Sequence, residues 1–253
     1  MISRIGAALG AVALVASACG SGDSGSSIRV AAASSLTDVM TELAAAFEAE
    51  SGVEVELNLG ASSALALQVE EGAPVDVFAS ADVALVADLR DRTSGIGAPV
   101  EFATNDLVIA VRVDADGRID ALDDFTDDDL LLGACAAQVP CGGYAATAFR
   151  LADIDPALDT EETDVRSLAA KIASGDLDGG LVYRTDVVAA ADSLRAIELP
   201  ADAAVDAVYG AATVDRAGRD TSYGSTASGD DFVEFLLSST AQEILSAQGF
   251  GPP

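Results

Sequence analysis

From residue 28 onward the apolar positions follow two alternating periods. Residues 28–33 are a short, nearly continuous apolar run, the pattern of a buried strand. Leu36, Val39, Met40, Leu43 and Phe47 then recur at three- and four-residue spacing, which predicts a helix with one apolar stripe. Ser51-Gly52 ends that helix. Val53, Val55, Leu57 and Leu59 alternate with Glu54, Glu56 and Asn58, a half-buried strand. Gly60-Ala61-Ser62-Ser63 turns the chain into a second helix carrying Leu65 and Val69. Gly72-Ala73-Pro74 closes it, and 75–78 predict the next strand.

The second half repeats the logic, with strands over 107–111, 130–135 and 181–183. Helices are predicted over 144–151 and around Val165, Leu168 and Ile172. A long strand over 205–214 and a terminal helix over about 229–248, bearing Phe232, Phe235, Leu236 and Ile244, complete the chain. Strands alternating with helices imply an α/β protein with mostly parallel sheets and right-handed crossovers. The expected arrangement is two lobes, 28–104 with 211–253 and 105–210, crossing near Thr104-Asn105 and Gly210-Ala211.

The first residues belong to a different class. Arg4 and the free amino terminus precede an apolar stretch over 5–15, and Ala16-Ser17-Ala18 supplies a small-residue cleavage pattern, so 1–18 read as an export signal. The stretch is shorter than the roughly 20 residues a membrane-spanning helix needs. Cys19 follows directly, and 20–27 (GSGDSGSS) are a flexible polar tether. This arrangement resembles a bacterial lipoprotein signal, with Cys19 acylated and anchoring an extracytoplasmic protein to the membrane. Position 16 departs from it, since leucine is more usual three residues before the cysteine; the alternative is plain secretion after Ala18. Export also bears on Cys135 and Cys141. In an oxidising compartment they form a short-loop disulfide, for which chain entropy gives about 2.4 kcal/mol with a loop of about seven residues.

Composition narrows the chemistry. The net charge of −29, from 42 acidic and 13 basic residues, excludes a nucleic-acid surface, which needs Lys/Arg clusters. With no histidine and no tryptophan, His-based triads and His-ligated metals are excluded. An enzyme would need carboxylates, a cysteine or a Ser–Lys pair built on Lys171, which falls on a helix with Leu168 and Ile172. Two cysteines without histidine make a poor metal site. No catalytic residues, cofactor or free metal cation are assigned.

What remains are two strand-to-helix turns, Ser34-Ser35 and Ser62-Ser63. A helix N-terminus presents unpaired N–H groups and partial positive charge, and a serine there adds a hydroxyl donor. Ordinary N-capping explains either turn alone. Two such turns at the ends of adjacent strands lie where open α/β sheets bind ligands.

Ala31-Ala32-Ala33-Ser34-Ser35-Leu36-Thr37-Asp38 resembles the AA(A/S)SLT opening of the periplasmic molybdate-binding proteins, a family of type II periplasmic binding proteins. Ala61-Ser62-Ser63-Ala64-Leu65-Ala66 and Gly72-Ala73-Pro74-Val75-Asp76-Val77-Phe78-Ala79-Ser80-Ala81-Asp82 are similar to its second block. Val139-Pro140-Cys141-Gly142-Gly143-Tyr144 resembles its VPAGxY turn, and Asp164-Val165-Arg166 with Gly180-Leu181-Val182-Tyr183-Arg184-Thr185-Asp186 its DVR…GIVYxSD segment. The match runs in order from about Ile28 to Phe250. It implies a two-lobed fold with the ligand in the inter-lobe cleft. Oxyanion contacts would come from Ser35 and Ser62 in one lobe and from Cys141, Val165 and Tyr183 in the other. Ser34 and Ser63 would be secondary donors or caps. Cys141 and Val165 would act through backbone N–H; cysteine stands where the family more usually has alanine. Arg166 and Arg184 are read as partners of nearby aspartates rather than ligands. The implied activity is capture of molybdate or tungstate, with molybdenum bound as the oxyanion, by a monomer serving an ABC transporter permease. The alternative is the same fold binding sulfate, thiosulfate or a small organic anion. Asp164, beside Val165, is the one carboxylate that bears on this choice.

Overall fold

The computed structural model describes residues 26–215 and 226–253, so the export signal and Cys19 lie outside the described residues. The order begins with β1 (Ser27–Ala33), a 3-10 turn (Ser34–Leu36), α1 (Thr37–Ser51), β2 (Glu54–Gly60), α2 (Ser62–Glu70), β3 (Val77–Ser80) and α3 (Val83–Arg92). Then come β4 (Val100–Arg112), a 3-10 turn (Leu122–Thr126), β5 (Leu132–Cys135), α4 (Pro140–Leu151), β6 (Thr160–Glu162), α5 (Val165–Ser174), β7 (Gly179–Tyr183) and α6 (Arg184–Ala189). β8 (Leu194–Glu198), β9 (Asp206–Thr213), α7 (Thr226–Phe235) and α8 (Ser239–Ala247) finish the chain. Among the described residues no helix is long and apolar enough to cross a membrane.

The strands form one curled mixed sheet in the order β2-β1-β3-β9-β4-β7-β5-β6, with β8 also paired to β4. β1 is parallel to β2 and β3, and β5 is parallel to β6 and β7. Every antiparallel pairing involves β4 or β9. β4 is the shared element. Its residues from Val100 to Asp106 pair with β9, whereas Leu107 to Arg112 pair with β7 and β8. The two half-sheets are therefore continuous through one strand, and their parallel strands each feed a helix at the C-terminal end.

Local chemistry sets these boundaries. Gly52, at φ +71°, takes the left-handed position that closes α1. Asp164 caps α5 by accepting from Ser167 N at 3.0 Å. Edge strand β2 alternates exposed and half-buried positions, whereas β3, β5 and β7 are buried throughout. Phe47 packs edge-on against Phe232 with centroids 5.1 Å apart, docking α7 on α1.

Several elements differ from the sequence expectation. β4 is 13 residues long rather than five, because Thr104-Asn105-Asp106 interrupts the apolar run without interrupting the ladder. The expected terminal helix is two helices, with Ser238 capping α8 by accepting from Ala241 N at 3.2 Å. α4 starts at Pro140 rather than Tyr144, since proline suits the first helical turn. The short elements α6, β6 and β8 carry too few apolar positions to be read from periodicity.

Candidate functional site

Four helix beginnings converge on one small pocket between the half-sheets. It is lined by the 3-10 turn after β1, the start of α2, the start of α4 and the start of α5, with Tyr183 at the end of β7 as its floor. Its volume is about 10 Å³, room for about one water. Ser34, Ser35, Ser62, Cys141, Val165 and Tyr183 all line it. Ser63, the second residue of α2, is not among the lining residues. No lysine or arginine is among the lining residues, so the local positive potential comes from the helix ends.

The local folding explains why each group is available. Ser62 opens α2 and Val165 opens α5, while Cys141 is the second residue of α4, so their N–H groups fall in turns that lack helical acceptors. Ser62 Oγ accepts from Ala81 N at 3.2 Å, and Ser35 Oγ accepts from Tyr209 Oη at 2.9 Å. Each hydroxyl thus keeps its own proton free for another acceptor. The Cys135–Cys141 disulfide, with Cα atoms 5.7 Å apart, ties the end of β5 to the start of α4. Gly142 follows, and a Cβ there would lie 2.0 Å from the Ala136 carbonyl oxygen, so only glycine permits this approach.

Behind the pocket lies a buried polar layer that periodicity could not reveal. Asn105 Nδ2 donates to Thr185 Oγ1 at 2.8 Å and to Tyr209 Oη at 3.4 Å. Tyr209 sits among Phe102, Tyr183 and Phe250, at centroid distances of 6.2, 5.9 and 5.4 Å. Burial pushes the Tyr183 and Tyr209 phenols up, so both stay protonated. Tyr144, pushed up by burial and by Asp82, accepts from Val208 N at 3.3 Å. Tyr183 Oη, Asn105 Oδ1 and Asp186 Oδ1 are buried and have no hydrogen-bond partner. A buried phenol with an unused proton at a pocket floor is a donor waiting for an acceptor.

Apart from Asp164, the charged groups are arranged around the pocket rather than in it. Arg166 on α5 reaches across to Asp38 on α1, and its Nε lies 3.9 Å from Asp186 Oδ1. Desolvation, only partly opposed by Arg166, pushes the Asp186 carboxyl up to about 7. Arg184 pairs with Asp106 at 2.8 Å and Glu198 at 2.6 Å, away from the pocket lining. Asp164 lines the pocket, but its two oxygens are engaged by Ser167 N at 3.0 Å and Ser167 Oγ at 2.8 Å. Lys171 is bound to Glu162 at 2.5 Å and is not among the pocket residues, so the geometry offers no Ser–Lys pair there.

Comparison with known proteins places this geometry in context. Residues 28–251 match the family model described as bacterial extracellular solute-binding protein. The molybdate-binding protein ModA of Mycobacterium tuberculosis is 32% identical over 233 residues, covering 90% of this chain and 85% of that protein. Among solved structures, the Azotobacter vinelandii periplasmic molybdate-binding protein aligns with a TM-score of 0.75 at 21% identity, over 89% of this chain and 99% of that one. The sulfate-binding protein SubI of Mycobacterium tuberculosis has the same fold, with a TM-score of 0.75 at 17% identity over 90% of this chain and 87% of its own.

Proposed function

The chain belongs to the bacterial extracellular solute-binding protein family, and from that premise we propose that it captures molybdate or tungstate and delivers the oxyanion to an ABC transporter permease. The observation that carries this reading is a pocket whose available polar groups are neutral donors. Ser35, Ser62, Cys141, Val165 and Tyr183, whose phenol is unpaired, line one pocket together with Ser34, and in this reading their hydroxyl and N–H groups hold the anion. A fully deprotonated tetrahedral dianion needs donors only, and each charge-assisted hydrogen bond contributes about 1.5–3 kcal/mol. Neutral donors also avoid burying an unpaired cation before the anion arrives.

Binding proceeds by closure of two lobes, 28–104 with 211–253 and 105–210, about the crossing strands β4 and β9. A pocket of about 10 Å³ supports this, since an oxyanion enters only when the halves part. The arginine bridge from α5 to α1 then favours the closed form. In this proposal Cys19 carries the lipid anchor and the protein works outside the cytoplasm as a monomer that catalyses no reaction.

Titration calorimetry with molybdate, tungstate, sulfate and phosphate tests the reading. Tight binding of the first two, weaker sulfate and weakest phosphate is expected. Sulfate binding as tight as molybdate sinks the substrate assignment and makes the protein a carrier of the competing oxyanion. Mass spectrometry of the membrane fraction, with a Cys19→Ser control, decides the anchor.

A further inference from the structure

Ser35 and Ser62 are held alike from the protein side, each oxygen accepting a hydrogen bond, but from different kinds of donor. Ser62 is held by a main-chain donor, the backbone N–H of Ala81. Ser35 is held by a side chain, the phenol of Tyr209, across 2.9 Å and 174 positions of sequence. Tyr209 is fully buried on β9 and Ser35 nearly so. A donor behind the phenol supports the direction of this bond. Asn105 Nδ2 has two hydrogens, one directed to Thr185 and the other to Tyr209 Oη. The phenol oxygen accepts from Asn105 and its own proton is directed to Ser35 Oγ.

We infer that Tyr209 is a positioning residue which, by donating to Ser35 Oγ, turns the Ser35 hydroxyl proton into the pocket and so favours anions that carry no proton of their own. The inference rests on the oxyanion reading above. A hydroxyl whose oxygen already faces a donor has its proton left for the pocket and little acceptor capacity there. An oxyanion bearing a proton needs an acceptor; the Ser35 and Ser62 oxygens already accept from Tyr209 and Ala81, and the Asp164 carboxylate is turned to Ser167, each of its oxygens accepting one hydrogen bond there. Without the phenol, Ser35 rotates freely and accepts as well as donates. Tyr209 would thus discriminate between molybdate or sulfate and hydrogen phosphate from one layer behind the contact surface. Burial keeps the phenol protonated throughout the working pH range, so the effect does not depend on its titration.

The test is a double-mutant cycle read by calorimetry at neutral pH, with molybdate, sulfate and phosphate as probes. Tyr209→Phe keeps the ring against Phe102, Tyr183 and Phe250, and a melting temperature within a few degrees of wild type verifies the fold. The variant is expected to bind molybdate about fivefold more weakly, the worth of one hydrogen bond. Its molybdate-to-phosphate preference should narrow by at least as much. In a Ser35→Ala background the same change should alter affinity less than twofold. Equal weakening for all three anions, or the same loss with and without Ser35, overturns the inference. If wild type binds sulfate but not molybdate, the substrate reading fails, and the sulfate-to-phosphate ratio decides the role of Tyr209. Wild-type protein that binds none of the three overturns both.

Discussion

Asp186 gives the sharpest stability prediction. Its side chain is fully buried, one oxygen accepts from Tyr183 N at 3.3 Å, and the other has no hydrogen bond. Desolvation raises its carboxyl from 3.8 to about 7 in the folded protein. Below about pH 4 both folded and unfolded chains hold the proton, and the group contributes nothing to the pH dependence. Between about 4 and about 7 the unfolded chain has released it while the folded protein retains it, so stability falls as pH rises, by about 1.4 kcal/mol per unit. Above about 7 both are ionised, and the full penalty, about 4 kcal/mol, is in place. Asp186→Asn retains an acceptor for Tyr183 N–H and removes the charge. Urea unfolding from about pH 4 to pH 8 should therefore show the wild type losing ground to the variant steadily up to about 7 and no further. Parallel stability profiles for the two proteins would refute the reasoning, because they would mean that burial leaves the Asp186 carboxyl unperturbed.

Three other expectations follow from single contacts. Arg166→Gln removes the bridge to Asp38, which is half-exposed, so molybdate affinity should fall by no more than about fivefold. Scattering without ligand should show a more open average shape, and an unchanged curve and affinity would remove the bridge from the closure mechanism. Reducing Cys135–Cys141 should cost about 2.4 kcal/mol, a drop of roughly 5–10 °C in Tm, with weaker anion binding as the start of α4 loosens. Gly142→Ala places a Cβ against the Ala136 carbonyl, and should destabilise by about 1–3 kcal/mol while weakening anion binding more than tenfold. Urea midpoints and calorimetry check both terms.

Much of this fold is legible in the sequence because each half-sheet is buried on both faces and fed by amphipathic helices. The runs at β1 and β3, the stripe of α1 and the alternation of β2 all carry the period their environment demands. Some of the elements missed carry no apolar pattern, such as Thr160–Glu162, or are held by polar pairing, such as the middle of β4. Helix α3, by contrast, was missed although Val83, Val86 and Leu89 recur at helical spacing. The candidate contacts were legible by motif and helix-start chemistry, and the structure brings six of the seven to one pocket. The layer behind them was not. Asn105, Thr185 and Tyr209 lie 80 and 104 positions apart or more along their hydrogen bonds, and nothing local in the chain announces that they meet. A polar residue buried in an apolar crossing strand, as Asn105 is, was the one available signal.

The row of phenols through the molecule has an optical consequence. The protein contains no tryptophan and four tyrosines. Tyr144, Tyr183 and Tyr209 stand in file at centroid spacings of 6.4 and 5.9 Å, with Tyr183 at the pocket floor, while Tyr223 lies outside the described residues. Ultraviolet emission of the intact protein therefore arises largely from rings at or beside the place where an anion would sit. The chain carries its own chromophoric reporter, read without a label.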